Sequence, residues 1–169
     1  MANHVDNTLT VTGNHAVIAQ FQRIFAKIDE GVQSASFLPE WDGDDFPSHD
    51  WMYENIGAKW AFVSDAEDEY ANITSAWSSI FPFVQKLGYH LESLDPKVRL
   101  ELTYVDECHN FAGAAVFSKN GWDVEEEDHT FFENLWIEQG GIDFEHEDFD
   151  TFEYRDLIFE TIYGWVKEL

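Results

Sequence analysis

The sequence predicts an α+β fold in which two helices cover one face of a mainly antiparallel sheet. Three observations predict it. The elements run strand, helix, strand, then two strands, a helix and further strands. Two segments carry apolar residues at spacings of three and four. Near the middle of the second half, Asn120-Gly121 separates two β-favouring runs, the strongest short hairpin signal.

Each element has a local reason. Val5 to Thr12 includes Leu9, Thr10, Val11 and Thr12 and ends at Gly13-Asn14, which reads as a first strand. Asn14 is suited to cap a helix. Val17, Phe21, Ile24 and Ile28 then form one apolar face, predicting a helix over 15–29 that ends near Gly31. Gln33 to Leu38 reads as a short strand closed by Pro39, and Glu40 to His49 as an irregular stretch before Trp51-Met52-Tyr53. Trp60 to Val63 and Ala71 to Trp77 read as strands around the acidic turn at Asp65 to Glu69.

Phe81, Val84, Leu87 and Leu91 make the second stripe, predicting a helix over 80–91 with Pro82 in its first turn. Val98, Leu100, Leu102 and Tyr104 alternate with Arg99, Glu101 and Thr103, the pattern of a half-buried strand. Gly113 to Ser118 and Trp122 to Glu127 form the hairpin, and Thr130 to Glu138 a short helix. Thr151 to Leu169 reads as a longer helix. Tyr154, Ile158, Ile162, Val166 and Leu169 lie on one side of it, and Glu153, Asp156 and Glu160 form an acidic ridge on the other.

The chain has 169 residues, 34 acids, 9 Lys plus Arg and a formal charge of −25. Acidic disordered segments lack apolar and aromatic residues; 15 Phe, 7 Trp and 6 Tyr here demand a core. No apolar run approaches the ~18–20 residues of a membrane-spanning helix. The first residues lack the basic and apolar regions of a secretory signal. The single cysteine, Cys108, excludes an internal disulfide framework. The expectation is a cytoplasmic protein with no membrane partner.

Four segments, Asn7 to Gly13, Glu54 to Trp60, Ser75 to Ser78 and Asn110 to Gly113, together resemble the YubB ferredoxin-like family over residues 1 to about 128. Its members are uncharacterised proteins typical of phages, plasmids and other mobile elements. The chain departs from the family pattern at Ile56, Ala58 and Ser79-Ile80. The resemblance implies a ferredoxin-like topology, without an iron–sulfur cluster, over residues 1–128. Residues 129–169 then read as an acidic helical extension packed on that core. No catalytic residues come with the family.

The chemistry expected is mostly negative. The seven His and Cys108 lack the paired spacing of zinc ligands. A calcium loop starting at Asp42 fails at Phe46 and at Tyr53. Nucleophile, P-loop and dinucleotide-binding motifs are missing. Neither a cofactor nor a metal is expected, nor enzymatic activity. For Glu54 to Trp60 the plain reading is a packed tryptophan anchoring a turn at Gly57, with Lys59 paired to an acid. The alternative is an enzyme site built on the Trp51–Trp60 loop. Stacking of RNA on the sheet needs a basic rim, and this chain has the opposite.

The charge is uneven: residues 121–169 hold sixteen acids and two bases. A compact chain of this length is roughly 40 Å across, and that length of duplex DNA carries about 24 charges. Self-repulsion makes such a surface costly, and attraction to a basic partner is the benefit it offers. The leading expectation is a phage-type inhibitor that mimics nucleic acid and occupies the basic groove of a host nucleic-acid-binding protein, such as a CRISPR effector or restriction enzyme, without binding nucleic acid itself. The competing class is an interaction module acidic for solubility or high salt. The residues expected at the partner surface are Asp123, Glu125, Glu126, Glu127, Asp128, Asp143, Glu145, Glu147, Asp148, Asp150, Glu153, Asp156 and Glu160, with Asp42, Asp44 and Asp45 as a second acidic loop. Asp123, Glu125 and Glu127 share one face of a strand ~6.6–6.8 Å apart. Phe144 and Phe149 serve as core, or as apolar anchors amid the charge.

Overall fold

The computed structural model describes residues 3–26, 31–41, 45–142, 144, 146 and 149–169. A six-stranded antiparallel sheet is built from β1 (His4–Thr12), β2 (Ala61–Ala66), β3 (Tyr70–Ala76), β4 (Arg99–Asp106), β5 (Phe111–Ser118) and β6 (Gly121–Asp128), in the order β2-β3-β1-β4-β5-β6. The first four strands have the arrangement of a ferredoxin-like split βαβ unit, with β1 between β3 and β4. The β5–β6 hairpin widens the sheet beyond β4.

Helix α1 (His15–Phe25) connects toward β2, and a second helix, α2 (His49–Asn55), lies in the same connection. Helix α3 (Phe81–Glu92) joins β3 to β4, while α4 (His129–Glu138) and α5 (Thr151–Glu168) follow the hairpin. Val17, Phe21 and Ile24 of α1 and Phe83, Leu87 and Leu91 of α3 pack on Val5, Leu9, Leu100 and Leu102. This is the expected pair of helices on one face; Ile28, the last residue of the first stripe, lies outside the described residues. Asn14 caps α1 by accepting from the amides of Ala16 and Val17.

The opposite face has its own core. Phe132 and Trp136 of α4 and Tyr154, Leu157, Ile158 and Ile162 of α5 bury Val105 and Ala112. Ala114 and Val116 meet Val166 nearer the hairpin turn. Small side chains along this face of β5 let the helix approach closely. This second layer explains why the alternation of β4 holds only at its start: Thr103 and Val105 face α5 and are as buried as Leu102 and Tyr104.

One expectation is corrected. Residues 33–38 are not a strand: Val32–Ser34 is a 3-10 turn, and the Ser34, Ala35 and Leu38 amides donate to carbonyls three residues back. The Ser34 hydroxyl donates to the Gly31 carbonyl as well, a local alternative to sheet pairing. The irregular stretch before Trp51 runs, in its described residues, to Ser48. Ser48 accepts from the Trp51 amide, the usual role of an N-cap serine, and starts α2, which buries Met52 and Asn55.

Candidate functional site

The acidic residues separate into two kinds once their faces are known. On β6, Trp122, Val124, Glu126 and Asp128 point to the α1/α3 side, and Asp123, Glu125 and Glu127 to the α4/α5 side. The second row is exposed at Asp123 and Glu125 and half-buried at Glu127. Beside it stands the outer face of α5, where Glu153, Asp156 and Glu160 are all exposed. Glu125 lines a shallow cleft with Trp165, Glu168 and Leu169, so strand row and helix meet at that point. Among the described residues, none of these six side chains has a hydrogen bond or ion pair.

Three expected site residues have internal work instead. The Glu126 carboxylate accepts a 2.6 Å hydrogen bond from the buried Tyr104 hydroxyl. Burial, then the carboxylate, pushes the Tyr104 phenol far above its ordinary value. Asp128 caps α4 by accepting from the Thr130 and Phe131 amides, and Asp150 caps α5 through Phe152 and Glu153. Asp45 is exposed. Asp42, Asp44, Asp143, Glu145, Glu147 and Asp148 lie outside the described residues.

The scarce cations hold the acidic helix to the sheet. Arg99 donates to Glu101 at 2.7 Å and to the Val166 carbonyl at 2.9 Å. That places a positive charge at the negative end of the α5 dipole. Arg155 reaches Asp6 of β1 at 3.4 Å and lies over the Phe159 ring. Phe144 and Phe149 are half-buried and pack with Trp136 and Tyr154, so they belong to the second core.

A second feature lies at the end of the sheet where β1 begins and β3 and β4 end. Trp77 is 56% exposed and has φ of 76°. That conformation costs a bulky residue about 1–3 kcal/mol. Its amide donates to the Asn3 carbonyl. Next to it Asp106, 1% exposed, uses Oδ2 to accept from the amides of Cys108 and Asn110 and from the Asn110 side chain. Asn3, Trp77, Asp106, Asn110 and Phe111 enclose a cleft of about 350 Å³.

Gly57, with φ of 94°, makes the expected turn, and the Ser78 hydroxyl donates to its carbonyl. Lys59 does not pair with an acid among the described residues; its ammonium lies 5.9 Å from the Trp77 ring centre. The buried Asn7 side chain donates to the Ile73 carbonyl and Ser75 hydroxyl and accepts from the Ile80 amide. Four segments far apart in sequence thus converge here, a juxtaposition with no local sequence signal.

Among the described residues no group of three or more His, Cys, Asp or Glu is arranged to hold a metal ion, and no helix is long and apolar enough to cross a membrane. No protein-family model matches the chain, and neither a curated protein nor a solved structure does.

Proposed function

We propose that the protein is an acidic decoy for nucleic acid: it binds a basic, nucleic-acid-binding protein of a host defence or DNA-processing system and blocks its groove. The observation that carries this reading is the pair of adjoining acidic rows. Asp123, Glu125 and Glu127 on β6 and Glu153, Asp156 and Glu160 on α5 stand on ordered elements of one face with no internal partner among the described residues. Rows fixed in this way lose less conformational entropy on binding than a flexible acidic tail. Their field speeds association with a basic surface and discriminates against acidic ones.

A second reading has one observation of its own. β6 is an outermost strand, and charges on an edge strand prevent pairing with other chains. The experiment separates the two. Glu125, Glu127, Glu153 and Asp156 are all changed to Lys, which preserves charged edge protection but reverses the field. Wild type at low salt retains nucleic-acid-binding proteins and releases them to duplex DNA. The variant, folded by circular dichroism, retains none. Equal binding by the variant at ~150 mM salt, where the screening length is ~8 Å, leaves edge protection as the reason for the acids and defeats the decoy.

A further inference from the structure

We infer that the cleft at the β3/β4 end of the sheet is a receptor for one arginine guanidinium presented by the partner protein, an inference that rests on the basic-partner reading above. Asp106 carries the argument. A carboxylate has about four acceptor sites, and three donors converge on its Oδ2. Oδ1 accepts nothing among the described residues, although the residue is only 1% exposed. Asp106 lines the cleft. Buried charges are kept where they are paired, and among the described residues neither Lys nor Arg lines this cleft.

The walls fix the kind of cation. Phe111 and Trp77, whose ring centre lies 5.9 Å from the Lys59 ammonium, are the aromatic walls of the cleft. A guanidinium is planar, weakly hydrated and stacks on aromatic faces while donating to a carboxylate; an ammonium is compact and strongly hydrated. The volume, about 350 Å³, lies at the small end of ligand pockets, in keeping with a single side chain. Trp77 combines a left-handed backbone with an indole 56% exposed. The cleft also adjoins the acidic strand, because Phe111 pairs with Asp128 and the Asn110 carbonyl accepts from the His129 amide. The rows attract a basic surface, and the cleft selects one residue of it.

The test uses the full chain, labelled with nitrogen-15 and titrated at constant ionic strength with N-acetyl-arginine N-methylamide, its lysine counterpart and its neutral citrulline counterpart. The arginine compound shifts the Trp77 indole N–H and the Asn110 side-chain amide saturably, the lysine compound more weakly, and the citrulline compound not at all. Asp106→Asn lowers arginine affinity by at least about 10-fold, the loss expected for a hydrogen bond to a charged group. Trp77→Gly, which accepts the left-handed backbone, removes the shift of the Asn110 side-chain amide and carries the test if Asp106→Asn does not fold. Equal arginine and citrulline responses, or folded variants that bind like wild type, overturn the inference. The fourfold Lys variant still saturates at Trp77, so failure of the acidic rows and failure of the cleft are read separately.

Discussion

Replacing Gly113 by Ala tests how the acidic edge strand is held. The register places Gly113 opposite Tyr104 on one side and Glu126 on the other, so the Tyr104 ring crosses a position with no side chain to reach Glu126. A methyl group there lies 2.5 Å from Tyr104 Cζ and 2.8 Å from the Glu125 carbonyl oxygen. The carbonyl belongs to the sheet backbone, so the ring must move. Overpacking of this kind costs about 1–3 kcal/mol. The displaced hydroxyl loses a bond to a charged acceptor, about 1.5–3 kcal/mol, at the low end because Glu126 is exposed and water replaces its share. We expect a total of about 2.5–4.5 kcal/mol, a fall in Tm of about 5–18 °C for a chain of this size. Thermal and urea unfolding followed by circular dichroism measures it. In a Tyr104→Leu background, which lacks the hydroxyl and ring tip, only the contact with the Glu125 carbonyl remains and the same change costs less than in the wild type. A melt within about 2 °C of wild type, or an equal cost in both backgrounds, refutes the argument.

Asp150→Ala removes the α5 cap and costs about 1 kcal/mol, Asp150→Asn little, while Asp156→Asn relieves repulsion and raises or preserves Tm. Burial, followed by the Arg155 charge, holds His109 below its ordinary value of 6.5. The folded state then takes up the proton less readily than the unfolded one, so stability is lost as pH falls from 6.5 through the lower folded value. His109 has φ of 58°, which asparagine tolerates. His109→Asn shows a smaller loss over that range, and identical profiles for the two proteins contradict this. Burial, followed by Glu133, raises Tyr154 from 10.0 to about 12. Its contribution is present below the ordinary value and lost as pH rises through the raised one. Tyr154→Phe flattens that alkaline limb, measured as Tm against pH.

Much of the fold is legible because its signals are local. The alternation of Val5, Leu9 and Val11 and the stripes of α1 and α3 each need one face buried, and each finds it. Asn120-Gly121 locates the hairpin, yet Ser118 pairs with Gly121. The turn residues are therefore Lys119 and Asn120, and the glycine takes the positive φ of 98° just after them. Neither Lys119 nor Asn120 has a positive φ, so the turn is not of the primed type. The segment 33–38 misleads because so short a run of mixed residues fits a strand or a turn equally well. The aromatic sequence of α2 hides it, although Ser48 is a standard N-cap residue.

The acids are legible by number, not by role. Asp150 and Glu153 have the spacing of a capping box, a signal that separates the capping Asp150 from its neighbours. Glu126 differs from Glu125 only by pointing to the other face, where Tyr104 waits across Gly113. The Trp77 cleft depends on contacts between Asn3, Trp77 and Asp106, which no window of sequence contains.

The physical distinction between a solubilising acidic surface and a binding one lies in order. A tail that only confers charge needs no core, and charge repulsion favours leaving it extended. Here the most acidic third of the chain also supplies Phe132, Trp136, Tyr154, Ile158 and Ile162, which bury the far face of the sheet. Two of the three arginines fasten α5 to the sheet, Arg155 reaching to β1 and Arg99 reaching from β4. Three of the C-terminal acids have internal work, Asp128 and Asp150 as helix caps and Glu126 as the acceptor of Tyr104, while six with no hydrogen bond or ion pair among the described residues share one side of the sheet. Holding them there works against self-repulsion, and it is the fixed spacing, which a loose tail lacks, that a basic groove can recognise.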